Sequence, residues 1–340
     1  MSEIHLHGYF GMNNLGDDLM LNALLANISR NKKVICWMSK ITSQHELIFW
    51  KRTFPTIIFK RYPRSFLLFP FLITWKKIEK SIWVGGNCFY THEKNTNLKW
   101  LLKLVKCYHK LKTPFIFLGV GIGNCDLFGK KIIREILSIS HKLYFRDNSY
   151  LKFLDECEHK VFKCGDLASL FPLKNIKADN EKKGYIISGH KFFSKNKDAI
   201  NAIQKAIDQL DDDCYVIDFH QGWSGDHSFN QKLSNVKYIQ NQNLEEIINL
   251  MKSVKGLISF RLHSILLSDL LNLPNIAINY DPKIAAYFSR MGRSSDTLIS
   301  VGEHFNPNQV LEKWTFDERK IESEKFDSMI AIKEIFHSKK

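Results

Sequence analysis

Disulfide pairs, zinc-binding spacings and membrane-length apolar runs are all missing from this sequence of 340 residues. The seven cysteines are an odd number without a C-x-x-C pair, and Cys157 and Cys164 are not at a zinc-ligand spacing. We therefore expect reduced thiols, as in a cytosolic protein. No apolar run reaches the roughly 18 to 20 residues of a membrane-spanning helix. We also expect no signal peptide, because the sequence begins directly with a strand at residues 4–8.

Acidic residues are the second shortage. The chain has 35 Asp and Glu against 49 Lys and Arg, which gives a net charge of +14. Such an excess favours an anionic partner: nucleic acid, a membrane surface or a phosphorylated substrate. The basic residues are spread along the chain without a compact arm or an aromatic RNA-binding motif. We therefore expect no nucleic-acid partner.

The sequence is rich in short apolar strands that alternate with glycine-containing corners and helices. One set precedes the polar residues 174–183, which we interpret as a linker, and a second set follows them. The alternation predicts an α/β protein with two doubly wound, Rossmann-like domains. The predicted domains are residues 1–173 and 184–315, and residues 316–340 form a helix that packs across both.

A charged corner between a strand and a helix is the first candidate site. Residues 257–260 form a buried strand, and Arg261 and His263 follow where the helix at 264–271 begins. Backbone N–H groups and the guanidinium favour an anion there, and His suits proton transfer near neutral pH. Asp281 and Lys283 follow the next strand in the same way. The alternative is an ordinary corner with a solvated Arg and a capping His.

A glycine-containing turn near the start of the chain is the second candidate. It follows the strand at residues 4–8, opens a helix at 19–28, and contains Gly11, Asn14, Gly16 and Asp17. A strand, such a turn and a helix can cradle a phosphate. The spacing is neither G-x-G-x-x-G nor a P-loop, so neither a dinucleotide nor a P-loop nucleotide site is predicted.

Further polar corners follow other strands. Gly85, Gly86 and Asn87 follow the strand at 81–84, and Arg146 follows the strand at 143–145. Arg146 would be a second anion ligand, or else one half of a structural Arg–Asp pair. His190 and His220 also follow strand ends, where ligands of open α/β sheets bind; the alternative for each is a core or surface histidine.

Residues 66–75, from Phe66 to Trp75, are apolar and aromatic and are flanked by Lys and Arg on both sides. This pattern suits a segment that lies at the surface of an anionic membrane. A buried helix with solvated flanks is the alternative.

Five motifs occur in one order: GYFGMNNLGDD, WVGGN, FLGVGIG, LYFRD and FRLHSILLSDLLNLPNIAINYDPK. Together they resemble the polysaccharide pyruvyl transferase family over roughly residues 4–292. The resemblance implies a GT-B-like fold in which two Rossmann-like domains face each other across a cleft. It also implies transfer of pyruvate from phosphoenolpyruvate onto two sugar hydroxyls, which forms a cyclic ketal and releases phosphate, without a cofactor.

The resemblance assigns roles to residues that match the family motifs. Arg261 would bind the phosphate or carboxylate of the donor, His263 would transfer protons, and Arg146 would be a second anion ligand. The remaining predicted substrate contacts are Gly11, Asn14, Gly16, Asp17, Gly85, Gly86, Asn87, Asp281 and Lys283. The G-G-N corner departs from the longer glycine run of many family members, which puts its role in donor binding in doubt. No D-x-D motif ends a strand, so we expect no metal.

The expected function is pyruvyl transfer in bacterial surface polysaccharide biosynthesis. Phosphoenolpyruvate and a sugar acceptor, for example a lipid-linked oligosaccharide, are the expected partners. The enzyme would be cytoplasmic, with residues 66–75 touching the inner face of the cytoplasmic membrane. The alternatives are a GT-B nucleotide-sugar glycosyltransferase, in which Asp281 alone could hold the nucleotide ribose, and a non-catalytic assembly protein of the same fold.

Overall fold

The chain folds into two compact α/β units. A computed structural model of the protein describes residues 2–28, 32–42, 44–63, 69–73, 77–91, 96–153, 155, 158–173, 182–221, 225–239 and 243–337. The first unit comprises Met1–Met12, Met20–Phe171 and Ser323–Lys340, and the second comprises Asn13–Leu19 and Pro172–Glu322. Most of the predicted linker, residues 174–181, lies outside the described residues.

The first unit is built on a seven-stranded parallel sheet. Its strands are β1 (Glu3–His7), β2 (Lys33–Met38), β3 (Ile58–Arg61), β4 (Ile78–Val84), β5 (Phe115–Val120), β6 (Lys142–Phe145) and β7 (Val161–Lys163). The spatial order is β3-β2-β1-β4-β5-β6-β7, which is the Rossmann order with one further strand at the edge. Every residue of β5 is buried, as expected of a central parallel strand covered on both faces.

In the described ranges, helices of the first unit accompany this sheet. They are α1 (Leu15–Asn27), whose first turn is counted with the second unit, α2 (Gln44–Thr53), α3 (Phe69–Ile73), α4 (Thr96–Lys110), α5 (Leu127–Ile139) and α12 (Glu318–Phe336), which begins in the second unit. Residues of α3, α4 and α5 form one hydrophobic core with the sheet. The last helix is attached by polar contacts: the Tyr144 hydroxyl donates to Glu334 Oε2 (2.8 Å) and Lys80 Nζ donates to the Ile335 carbonyl (2.7 Å).

The second unit repeats the same design with six parallel strands. These are β8 (Tyr185–Ser188), β9 (Cys214–Ile217), β10 (Lys237–Ile239), β11 (Gly256–Ser259), β12 (Asn275–Asn279) and β13 (Leu298–Ser300), in the order β10-β9-β8-β11-β12-β13. The helices are α6 (Lys197–Asp208), α7 (His227–Asn230), α8 (Leu244–Ser253), α9 (Leu262–Leu270), α10 (Pro282–Met291) and α11 (Pro307–Glu312). The predicted α/β class with two Rossmann-like sheets is confirmed.

Several predicted boundaries were wrong for local reasons. The first helix begins at Leu15 rather than at residue 19, because Asn14 accepts the Gly16 N–H at the helix start (3.3 Å). The residues that follow Arg146 form a 3-10 helix, Asn148–Phe153. The three-residue strands β7 and β13 were not predicted, because so short an apolar run carries almost no periodicity.

The predicted membrane segment is only partly described, since residues 64–68 and 74–76 lie outside the described residues. Within it, Phe69 and Ile73 are fully buried in the core of the first unit. None of the helices in the described ranges is both long and apolar enough to cross a bilayer.

Candidate active site

The backbone of Arg261 is fixed by two buried hydroxyl groups. Arg261 is the residue that precedes α9, and its N–H donates to Ser259 Oγ (2.9 Å). Ser264 Oγ lies 2.6 Å from Ser259 Oγ and donates to the Arg261 carbonyl (2.6 Å). Both serines are fully buried. These hydrogen bonds tie the Arg261 backbone to both β11 and α9.

The side chain of Arg261 is held by a carboxylate that sequence reasoning missed. Its Nε donates to Asp226 Oδ2 (2.9 Å), and its Nη2 donates to Asp226 Oδ1. The Asp226 side chain is fully buried and also accepts the His220 N–H (2.9 Å), whereas that of Arg261 is 16% exposed. Within the described residues Nη1 of Arg261 makes no hydrogen bond. The two contacts with Asp226 thus use Nε and Nη2 and not Nη1.

His263 lies directly against the first turn of α1. A Cβ atom on Gly16 would stand 2.2 Å from His263 Nδ1, so only glycine allows the imidazole to come this close. Asn14 orders this turn: its side chain donates to Asp17 Oδ2 (2.6 Å) and its Oδ1 accepts the Gly16 N–H (3.3 Å). The structure thus brings together His263 and three residues predicted from the start of the chain.

The same turn is joined to the end of β9. Asn14 forms an antiparallel bridge with His220, and the Leu15 N–H donates to the Phe219 carbonyl (2.9 Å). A third hydrogen bond runs from Gln221 N to the Asn13 carbonyl (2.7 Å). These bonds place the α1 N-terminus, a region of partial positive charge, beside His220 and His263.

Two further histidines of this unit are held in the neutral form. Burial, with Arg261 and Lys283 nearby, lowers the pKa of His190 to about 2. Burial and the charge of Arg261 lower the pKa of His220 to about 4. His190 Nδ1 accepts the Phe192 N–H (3.2 Å), and its ring centroid is 4.5 Å from that of Tyr280. Near neutral pH both imidazoles are therefore uncharged.

Asp281 and Lys283 lie at the end of β12, as predicted. Asp281 caps α10 by accepting the Lys283 N–H (3.0 Å), and Pro282 occupies the first helical position. Lys283 Nζ lies 3.3 Å from Asp281 Oδ2 and 5.2 Å from the centroid of the Tyr280 ring. The contacts of Asp281 are those of a helix cap and an ion pair.

The first unit gathers a second set of predicted residues around Arg146. Its side chain is 3% exposed, and it donates from Nη1 to Asp166 Oδ2 (2.6 Å) and from Nη2 to Asn87 Oδ1 (3.2 Å). Asp147, the next residue along the chain, is also near, with 3.8 Å between Arg146 Nε and Asp147 Oδ2. Burial works against the charged guanidinium, but Asp166 and Asp147 outweigh it and raise the Arg146 pKa. These contacts are those of a structural Arg–Asp pair.

The glycines of the first unit shape its corners. Gly85 and Gly86 both have positive φ angles, 62° and 78°, and the Gly86 carbonyl accepts the Gly121 N–H (3.2 Å). Gly11 has φ 63°, and a Cβ there would lie 2.3 Å from Thr42 Oγ1. The local contacts of Gly11 are therefore with Thr42, and its predicted contact with substrate stays a prediction.

The missed residues are mostly distant partners of the predicted ones. Asp226 and Asp166 are buried carboxylates that stand in no recognisable sequence motif, and each pairs with an Arg far away along the chain. Among the residues that the structure describes, no group of three or more His, Cys, Asp or Glu could hold a metal ion. The predicted independence from metals stays a prediction.

Solved structures share this fold with little sequence similarity. The UDP-GlcNAc 2-epimerase of Methanocaldococcus jannaschii matches with a TM-score of 0.63 at 14% identity, over 99% of this chain and 100% of that chain. The UDP-N-acetylglucosamine 2-epimerase of Rickettsia bellii matches with a TM-score of 0.63 at 14% identity, over 98% of this chain and 95% of that chain. A UDP-glucosyltransferase of Polygonum tinctorium matches with a TM-score of 0.57 at 10% identity, over 99% of each chain. These likenesses confirm the predicted GT-B-like fold.

The sequence comparisons concern the family. No curated protein matches the chain. The family model for polysaccharide pyruvyl transferase matches residues 14–282, which include Arg146, Arg261 and His263. The chain therefore belongs to the polysaccharide pyruvyl transferase family.

Proposed function

We propose that this protein transfers pyruvate from phosphoenolpyruvate onto two hydroxyls of a sugar during surface polysaccharide biosynthesis. The observation that carries the proposal is the arrangement of Arg261 and His263 in the second unit. Buried Asp226 holds the guanidinium at two points, and the imidazole lies against the N-terminus of α1. These contacts support the proposal that Arg261 binds the anion and that His263 transfers protons.

The reaction needs both functions. Phosphoenolpyruvate carries a phosphate and a carboxylate, which suit Arg261 Nη1 and the partial positive charge at the α1 N-terminus. The methylene carbon must gain a proton, which makes the adjacent carbon electrophilic. The two sugar hydroxyls then bond to that carbon, and the C–O bond to phosphate breaks. One hydroxyl proton replaces the proton donated to the new methyl group, and the other leaves with phosphate.

We assign the proton transfers to His263, which gives a proton to the methylene carbon and takes one from a sugar hydroxyl. His220 is neutral near pH 7 and is joined to the same turn. We assign to it the role of base for the second hydroxyl. Arg146 is kept as a proposed anion ligand of the first unit. Its present partners Asp166 and Asn87 would hold it in place for that role.

The acceptor is a sugar with two suitably placed hydroxyls. We propose no cofactor and no metal for the reaction, and we place the enzyme in the cytoplasm, at the inner face of the membrane when its acceptor is lipid-linked. The choice between a lipid-linked oligosaccharide and a nucleotide sugar rests on the acceptor assay.

The test is phosphate release from phosphoenolpyruvate with a panel of galactose-, glucose- and N-acetylmannosamine-bearing acceptors. We expect acceptor-dependent release that falls by roughly 100-fold or more in His263→Ala. His304→Ala, an exposed histidine of the same unit, is the matched control and should release phosphate normally. Hydrolysis or transfer from a nucleotide sugar, without any release from phosphoenolpyruvate, would instead identify a glycosyltransferase.

A further inference from the structure

The outer faces of α4 and α5 carry an excess of positive charge. Both helices are described throughout, and their exposed cations are Lys99, Lys103, Lys106, Lys110, Lys131 and Arg134. The four lysines of α4 recur at intervals of four, three and four residues, which places them along one side of the helix. Within these two helices the one exposed carboxylate is Glu135, which pairs with Lys106. We call this surface the lysine face.

The two helices present one continuous surface. Lys99 Nζ lies 5.2 Å from the ring centroid of Phe128 on α5, and the Lys106–Glu135 pair joins the helices two turns further on. Beneath them, buried aliphatic residues of both helices belong to the same core. The positive charges are therefore held side by side on a packed support.

Two apolar side chains project from the same surface. Leu127 is 81% exposed and Phe128 is 52% exposed, both in the first turn of α5. A single exposed hydrophobic residue needs no explanation. An aliphatic and an aromatic side chain on a pair of helices with six exposed cations is, however, the combination that interfacial helices use on anionic lipid.

We propose that the lysine face binds the surface of a membrane that contains anionic lipid, with Leu127 and Phe128 inserted among the headgroups. A nucleic acid would pair with the lysines but would gain nothing from an exposed leucine. In the earlier candidate, residues 66–75, Phe69 and Ile73 are buried in the core below this surface. The proposal goes beyond pyruvyl transfer and does not depend on it.

Vesicle sedimentation of the full-length protein tests the proposal. Vesicles of phosphatidylcholine alone are compared with vesicles that also contain phosphatidylglycerol. Two double variants remove the charge (Lys99→Gln with Lys103→Gln) or the apolar pair (Leu127→Ser with Phe128→Ser). Two controls are made at exposed residues elsewhere: Lys197→Gln with Lys205→Gln on α6, and Phe326→Ser on α12.

We expect the wild type to bind only the vesicles with anionic lipid, and to bind less as salt increases. The charge variant should bind on the order of 10- to 30-fold more weakly, since each lysine near the surface contributes about fivefold. The apolar variant should bind about tenfold more weakly, and both controls should bind like the wild type.

The assignment is overturned by equal binding to neutral vesicles, by no binding, or by charge and control variants that weaken binding equally. Tighter binding of an oligonucleotide through the same lysines would identify a different partner. Phosphate release with a soluble acceptor is measured on every variant. Normal release with lost vesicle binding separates the failure of this surface from a failure of the proposed reaction.

Discussion

Asp226 accepts hydrogen bonds from Nε and Nη2 of Arg261, a residue 35 positions away in the sequence. The Asp226 side chain is completely buried. A buried carboxylate that accepts two hydrogen bonds from one guanidinium fixes the position of that guanidinium and stabilises its positive charge. The pair is the polar centre of the second unit.

Asp226→Asn should raise the KM for phosphoenolpyruvate about tenfold or more, because the amide can accept only one of the two guanidinium hydrogen bonds. Steady-state phosphate release measures the change, and thermal unfolding measures the accompanying loss of stability. Asp317→Asn, which breaks an exposed Arg–Asp pair with Arg319, is the control and should change neither quantity. An unchanged KM in Asp226→Asn would separate Arg261 from donor binding.

Gly16→Ala should inactivate the enzyme with little change in fold. The new methyl group would stand 2.2 Å from His263 Nδ1 and must push the imidazole away. A displacement of about 1 Å is enough to lower kcat on the order of 100-fold. Rate measurements and a circular dichroism spectrum check this, with Asn22→Ala on the same helix as the control. A fully active Gly16→Ala enzyme would show that the position of His263 does not matter.

The free energy of unfolding should fall as the pH falls below about 6.5. The folded-state pKa values of His190 and His220 are lowered to about 2 and about 4 by burial, and burial also lowers that of His7, from an ordinary value of 6.5. Below pH 6.5 these histidines therefore bind protons in the unfolded chain but not in the folded chain. The free energy of unfolding therefore keeps its full value above pH 6.5 and decreases progressively as the pH falls toward the folded-state pKa values.

Urea unfolding at a series of pH values between 8 and 4, about the window set by these pKa values, measures this slope. His190→Gln should flatten the slope, because the amide does not titrate, whereas the exposed His304→Gln should leave it unchanged. A pH-independent free energy of unfolding across the window would contradict the neutral state of these buried histidines.

Arg146→Ala should destabilise the first unit. It leaves the Asp166 carboxylate buried without its guanidinium partner, which costs about 3 kcal/mol or more. A double-mutant cycle with Asp166→Asn, followed by urea unfolding, measures the coupling. Additive losses would mean that the two side chains stabilise the unit independently. A variant that stayed stable but bound phosphoenolpyruvate weakly would mark Arg146 as an anion ligand rather than a structural residue.

Local pattern was sufficient for most of the fold. The apolar strands at 4–8, 143–145 and 257–260 were predicted within one residue of β1, β6 and β11, because buried parallel strands are continuous apolar runs. The edge strands β7 and β13 were not predicted, because a segment of three residues is too short to show a periodic pattern of apolar residues. No pattern in the sequence indicated that Asp166, 20 positions away, would be the carboxylate 2.6 Å from Arg146 Nη1.

The sequence by itself determined the strand-to-helix corners, the residues that stand on them and the family. These features depend on short spacings of apolar residues, glycines and caps, which are local. Only the tertiary structure decided that Gly16 lies against His263, that Asp226 holds Arg261, and that Lys99 of α4 lies over Phe128 of α5. Such neighbours are set by how helices and sheets pack, because packing joins residues whose distance along the chain carries no signal.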